Sequence, residues 1–213
     1  MRNTKTRKLT ITALLVALTF LLGLTPIGYI PIPPISMTLL CLPVIIGTIM
    51  EGLGAGIWIS LAFGLTSLFQ ALGITLVPSP LGTFLLEISV VRTIIVVFVP
   101  RLLIPVVVWI VHKAITGESK VRQRVATGIA AFAGSITNTI LFLGALYLLF
   151  LPELETLAAA FGATPETFGG VLVGIGAING LPEAAVAVLL CVPIIWALSR
   201  SRNKGKKITT TES

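Results

Sequence analysis

Long apolar stretches, separated by short polar or proline-rich segments, dominate the hydrophobic pattern of this chain. A membrane-spanning helix needs about 20 predominantly apolar residues. The pattern predicts six such spans, near residues 9–26, 36–50, 55–76, 84–111, 125–151 and 168–198. The predicted fold class is therefore all-α, a polytopic membrane protein. A single six-helix domain covers residues 1–200, followed by a polar, basic tail at residues 201–213.

The composition excludes several classes of protein. Of 213 residues, 55% are hydrophobic and 11% are charged, whereas a soluble domain carries about 25% charged residues. This excludes a soluble enzyme, a nucleic-acid-binding domain and a disordered protein. The sequence contains no G-x-x-x-x-G-K-[ST] phosphate-binding loop and no His/Cys/carboxylate cluster. We therefore predict that the chain is not an enzyme and holds no metal or cofactor of its own.

The net charge of +7 reflects membrane topology once the basic residues are located. Thirteen of the fifteen Lys and Arg residues fall in three clusters, before the first span, in the loop 113–124 and after the last span. Cytoplasmic segments of membrane proteins are enriched in Lys and Arg. We therefore predict that both termini and this loop are cytoplasmic. Two irregular, proline-rich segments, at residues 27–35 and 77–83, and the acidic loop 152–167 then lie outside, and no nucleic acid is a partner.

Polar side chains inside the predicted spans are candidates for function, because they are costly in hydrocarbon. At 1.5 Å per residue, Asn138 and Asn179 lie roughly 15–20 Å below the outer surface. We predict a pocket that opens outward and binds a small molecule through Tyr29, Gln70, Arg92, Arg101, Ser135, Asn138, Asn179 and Glu183.

Alternatives to that pocket are also consistent with the sequence. The Asn and Ser side chains would then only bond neighbouring helices. Glu183 would pair with Arg101 or Arg92, or either arginine would extend to the outer interface. Pro100 and Pro105 predict a break in the fourth span or a late start of its helix.

Small residues on the first span predict contact with another subunit. Ala13 and Ala17 lie four residues apart and therefore on one face of a helix. Such faces let helix backbones approach closely. The cytoplasmic half of a first helix is also peripheral enough to meet another chain.

Several of these segments, in their order along the chain, resemble the S components of energy-coupling factor (ECF) vitamin transporters. The resemblance covers most of the chain and is closest to the pantothenate-specific members. Its segments are TALLVAL, IGYIPIPP, SMTLLCLPVIIGTIMEGLGAG, FVPRLLI, GSITNTILFLG and INGLPEAAVAVLL.

The resemblance implies a membrane subunit that binds a vitamin from outside, topples in the membrane and releases the vitamin inside. It implies that Ala13 and Ala17 dock on a membrane coupling protein. Two ATPase subunits power that protein by hydrolysing ATP. It also implies a gate loop formed by Gly28, Tyr29, Ile30, Pro31, Ile32, Pro33 and Pro34.

Pantothenate is the substrate that we expect. Arg101 or Arg92 would hold its carboxylate, and Asn138, Asn179 and Gln70 would suit its amide and hydroxyl groups. Riboflavin and a pyrimidine or thiamine precursor are alternative substrates. A self-sufficient secondary transporter with an ion site at Glu183 and a structural membrane protein are alternative functions.

Overall fold

The computed structural model describes residues 4–30 and 37–211, and helices cover most of that length. Side chains are described between residues 5 and 200, apart from residues 30–37. The α-helices are α1 (Thr4–Leu24), α2 (Cys41–Glu51), α3 (Leu53–Ala71), α4 (Pro80–Ile88), α5 (Val90–Ile115), α6 (Lys120–Leu149), α7 (Leu154–Ala160), α8 (Pro165–Ile175) and α9 (Leu181–Thr211).

Within the described residues, five helical segments are long and apolar enough to cross a membrane. They are Lys5–Leu24, Leu53–Ala71, Val90–Ile115, Lys120–Leu149 and Pro165–Arg200. This confirms an all-α, multi-pass membrane protein. Helix α2 is apolar but has 11 residues, a rise of about 16 Å, which is less than the hydrocarbon thickness. The count of six spans and the orientation of the termini therefore stay predictions.

A short β-hairpin joins α1 to α2. Strand β1 (Tyr29–Ile30) pairs antiparallel with β2 (Met37–Thr38), with Tyr29 opposite Thr38. The backbone N–H of Leu39 also donates to the carbonyl oxygen of Gly28 at 2.9 Å. A side chain at Gly28 would overlap the backbone of Leu22, so the close entry of the chain into this hairpin requires glycine.

The hairpin contains the predicted gate loop. Gly28, Tyr29 and Ile30 are among the described residues. Pro31, Ile32, Pro33 and Pro34 lie outside them.

The fourth predicted span is interrupted at Ser89 and not at either proline. Ser89 has an extended backbone with φ −162°, and its hydroxyl accepts a hydrogen bond from the Arg92 N–H that caps the start of α5. Helix α5 then passes without a break through Pro100 and Pro105. The prediction that these prolines break or delay the helix was wrong. Prolines are tolerated in membrane helices where neighbouring groups satisfy the backbone carbonyls that they leave free.

The last predicted span contains a π-helical turn. Helix α8 leads directly into the π-helix Gly176–Gly180, which leads into α9. Single π-turns within α-helices are frequent at functional sites, and this one carries Asn179. The α9 backbone remains helical to Thr211 and so enters the predicted polar tail.

Two groups of buried apolar side chains fill the protein. One is built around Ile45, Phe63, Ile104 and Val108. The other is built around Phe150 and the aromatic and aliphatic side chains near it, with Phe142 packed against its edge. A polar cavity lies where these groups meet, because Arg101, which lines it, contacts an aromatic ring from each of them.

Candidate functional site

A cavity of about 120 Å³ lies among the β-hairpin, helices α3 to α6, α8 and the residues around the π-turn. Six of the eight predicted binding residues line this cavity: Tyr29, Gln70, Arg101, Asn138, Asn179 and Glu183. The structure thus brings together polar residues that are spread over 155 positions of the sequence.

Arg101 is a buried cation that contacts two aromatic rings. Its side chain is 9% exposed, and its guanidinium carbon lies 5.3 Å from the centre of the Phe63 ring and 4.9 Å from that of Phe142. Its Nη1 donates to the carbonyl oxygen of Val96 at 3.1 Å. That carbonyl lacks its usual helical partner, because Pro100 has no N–H. The proline therefore provides an anchor for the arginine that follows it.

Buried polar atoms without partners surround this cation. Arg101 Nε, Gln70 Nε2, Asn138 Oδ1 and Asn179 Oδ1 have no hydrogen-bond partner among the described residues. The three amide side chains are only 6–7% exposed. An unsatisfied buried polar group costs about 1–3 kcal/mol, so native proteins rarely keep one without a reason. Four of them around one cavity suit a small ligand that has a negative group, donors and acceptors.

Glu183 connects the hairpin to the helices. Its Oε2 accepts a hydrogen bond from the backbone N–H of Thr38 at 3.2 Å. Its Oε1 accepts from the Cys41 thiol at 3.3 Å and from the Ser135 hydroxyl at 3.5 Å. Glu183 lies on α9, and these hydrogen bonds therefore connect α9 to β2, to the first turn of α2 and to α6. Ser135 reaches the site through this contact and does not itself line the cavity.

The ion pairs considered for Glu183 are not formed among the described residues. Neither Arg92 nor Arg101 lies within salt-bridge distance of its carboxylate. Glu183 is 6% exposed, and the three hydrogen bonds that its carboxylate accepts compensate for the loss of water.

Arg92 lies away from the cavity. Its Nη1 is 2.6 Å from Glu153 Oε2 and also donates to the carbonyl oxygen of Leu149 at 3.2 Å. Its guanidinium carbon lies 5.6 Å from the centre of the Phe150 ring. Arg92 therefore joins α5 to the turn that follows α6. The ion pair is about one-third exposed, so its contribution to stability is small.

The hairpin covers one side of the cavity. Tyr29 and Thr38, one from each strand, line it. The Tyr29 hydroxyl lies 3.4 Å from the Ser67 hydroxyl on α3. Burial raises the pKa of the Tyr29 phenol, so it remains protonated at neutral pH and can donate a hydrogen bond.

One wall of the cavity was missed by the sequence predictions. Residues 77–83 were predicted as an irregular outer segment, but Ser79 to Gly82 line the cavity at the start of α4. The Ser79 hydroxyl accepts a hydrogen bond from Gly82 N–H at 3.1 Å, and Pro80 occupies the first helical position. Serine followed by proline is a recognised helix-start signal, and it was the available clue.

Phe142 was also missed, although it contacts Arg101. It lies four residues after Asn138 and therefore on the same face of α6. Both residues line the cavity.

The proposed contact face on α1 is open. Ala13 and Ala17 are both exposed, beside the exposed side chains of Leu14 and Leu18. Nothing described in this chain covers the pair, so the surface is accessible to another protein or to lipid.

Comparisons with known proteins agree with this architecture. Residues 7–195 match the family described as "ECF transporter, substrate-specific component". The chain is also 33% identical over 181 residues to "Pantothenic acid transporter PanT" of Lactococcus lactis subsp. cremoris strain MG1363, covering 81% of this chain and 82% of that protein. These findings confirm the resemblance indicated by the sequence motifs. The chain therefore belongs to the family of ECF transporter substrate-specific components.

Proposed function

We propose that this substrate-specific component binds pantothenate from outside the cell and delivers it to an ECF coupling module. Membership of the family supports a role in transport and not in catalysis. The name of the relative from Lactococcus lactis supports pantothenate in particular.

The observation that carries the proposal is the single buried cation in the polar cavity. A carboxylate that leaves water needs a positive partner, because an unpaired buried charge is very costly. Arg101 is the only Lys or Arg among the described residues that line the cavity, and its Nε is unpaired. In the proposed complex it binds the pantothenate carboxylate. The unpaired groups of Gln70, Asn138 and Asn179 bind the amide and hydroxyl groups.

The remaining walls suit the compact apolar part of pantothenate. Leu81, Leu85, Val97, Leu143 and Ile175 supply aliphatic surface for the gem-dimethyl group. Tyr29 and Phe142 are the only aromatic residues of the described lining, and Phe142 already packs on Arg101. A flat flavin ring would need more aromatic surface for stacking, so this lining favours pantothenate over riboflavin.

We further infer that the transport energy comes from partner subunits. In this proposal Ala13 and Ala17 dock on the membrane coupling protein, and two ATPase subunits hydrolyse ATP, so this chain needs no cofactor. The protein resides in the bacterial cell membrane with both termini cytoplasmic, as the basic clusters favour. An ion-coupled transporter would depend on Glu183, which already accepts hydrogen bonds from Thr38, Cys41 and Ser135.

Calorimetry on the purified full chain tests the substrate and the role of Arg101. Arg101→Ala should weaken pantothenate binding by about 2–5 kcal/mol, as expected when one member of a buried charge pair is removed. Arg101→Lys should lie between, because it keeps the charge but loses the planar pair of donors. Arg92→Ala is the matched control and should bind like the unmodified protein.

A second ligand separates the carboxylate from the rest of the molecule. Panthenol, in which an alcohol replaces the carboxylate, should bind the unmodified protein weakly. It should also be nearly insensitive to Arg101→Ala. Pantothenate binding that is absent, or that survives Arg101→Ala unchanged, would contradict the proposal.

A further inference from the structure

A second cavity, of about 780 Å³, lies at the other end of the helices. It is formed by the end of α2, the end of α5, the start of α6 and the last described side chains of α9. Arg124 precedes Asn138 by 14 residues on α6, which places the two cavities about 20 Å apart along that helix. The second cavity is therefore separate from the proposed pantothenate site.

Positive charge is concentrated in this cavity. Its lining includes Lys120, Arg124 and Arg200, against one acidic residue, Glu118. The guanidinium carbons of Arg124 and Arg200 lie 4.8 and 5.5 Å from the centre of the same ring, that of Trp196. No carboxylate of the described residues lies within salt-bridge distance of either arginine. Two like charges brought to one ring repel each other, and a bound anion would relieve that repulsion.

The anion that fits this arrangement is a phosphate group. Two guanidinium groups can each offer paired N–H donors to phosphate oxygens. Basic pockets between helices at the cytoplasmic side of membrane proteins bind the headgroups of anionic lipids. This end of the helices carries the clustered basic residues and is predicted to face the cytoplasm.

Exposed apolar side chains continue along α9 from the cavity towards the middle of the helix. Leu189, Trp196 and Arg200 are spaced by seven and four residues, so they share one helix face. Leu189 is 70% exposed and Trp196 is 42% exposed. Tryptophan is typical of the level of lipid headgroups. This apolar surface can contact the acyl chain of a lipid, whereas a free phosphate ion has no apolar part that could bind there.

We propose that Arg124, Arg200 and Trp196 form a binding site for the phosphate headgroup of an anionic phospholipid, with an acyl chain along Leu189. The site does not depend on the identity of the transported vitamin. Its occupancy would fix α6 against α9 at the cytoplasmic end.

Native mass spectrometry of the full chain tests this proposal. The protein is released from a neutral detergent after incubation with equimolar phosphatidylglycerol and phosphatidylcholine. We expect selective retention of phosphatidylglycerol. The double variant Arg124→Gln/Arg200→Gln should lower its affinity on the order of thirtyfold, from the usual contribution of two basic residues at a membrane surface. The charge-matched control Arg7→Gln/Lys8→Gln, on α1, should retain the lipid.

A charge-preserving variant, a folding check and a competing anion serve as further controls. Arg124→Lys/Arg200→Lys preserves both charges and should retain part of the selectivity if the first double variant loses it. Each variant is checked for an unchanged elution profile and melting temperature in phosphatidylcholine, so a folding defect is recognised. Equal retention of both lipids, or unchanged retention by the Gln variant, would overturn the proposal. Displacement of phosphatidylglycerol by millimolar inorganic phosphate would overturn it in favour of a free-phosphate site.

Discussion

The carbonyl oxygen of Val96 accepts a hydrogen bond of 3.1 Å from Nη1 of Arg101 within the same helix. This contact is possible because Pro100 removes the N–H that would otherwise bond that carbonyl. The arginine is thereby held between Phe63 and Phe142, with its Nε unpaired. The proline thus orients the arginine that we propose binds the pantothenate carboxylate.

Pro100→Ala tests this relationship. The restored N–H would compete for the Val96 carbonyl and release Arg101, so we expect pantothenate affinity to fall by about 0.5–1.5 kcal/mol in calorimetry. Pro105→Ala is the matched control. It lies in the same helix, but the N–H that it restores bonds the backbone carbonyl of Arg101 and leaves the Val96 carbonyl unchanged. Equal affinities in the two variants would show that the Val96 contact does not position the arginine.

Removal of the unpaired amides should weaken binding less than removal of the cation. Asn138→Ala and Asn179→Ala should each cost about 1–3 kcal/mol of pantothenate binding, because each leaves a ligand group unsatisfied. Thr137→Ala is the control. Its hydroxyl bonds the carbonyl of Ala133 in its own helix at 2.7 Å. An effect of Thr137→Ala as large as that of Asn138→Ala would point to helix packing as the cause.

Loss of Glu183 should loosen the hairpin and expose Cys41. In the structure Cys41 is 1% exposed, and its thiol donates to Glu183. Glu183→Ala should raise the rate at which Cys41 reacts with a thiol reagent by about tenfold, the equivalent of the one hydrogen bond that the Cys41 thiol itself loses. Peptide mass spectrometry measures the modification, and Cys191, which is fully buried on α9, serves as the internal control. Equal acceleration at both cysteines would indicate general unfolding.

Accessibility in intact cells tests the orientation. In a Cys41→Ala/Cys191→Ala background, single cysteines at the exposed positions Glu118 and Glu155 should differ in their reaction with an impermeant thiol reagent. The positive-inside pattern places Glu155 outside and Glu118 inside. We therefore expect labelling at Glu155 only until the membrane is permeabilised. Labelling of both positions in sealed cells would reject this topology.

Bulk on α1 should uncouple transport from binding. Ala13→Trp or Ala17→Trp should abolish pantothenate uptake by cells, because the larger side chain prevents close approach of a partner helix. Pantothenate binding by the purified chain should stay nearly intact. Leu14→Trp, which enlarges a side chain already 69% exposed on a neighbouring face, is the control. Joint loss of uptake and binding would indicate misfolding.

The sequence alone determined the class of protein and most of the cavity's polar residues. Apolar stretches long enough for membrane helices are a local property, and so is the cost of placing Asn138, Asn179 or Arg101 within them. The family resemblance also followed from ordered local segments. These features need no knowledge of which helices are neighbours.

Tertiary structure decided which polar residues meet. Arg92 pairs with Glu153, 61 positions away, and this removes it from the cavity that Arg101 lines. Glu183 bonds the backbone of Thr38, 145 positions away, and not either arginine. Contacts over such separations depend on how helices pack against one another, and the local pattern around each residue carries no information about its partner.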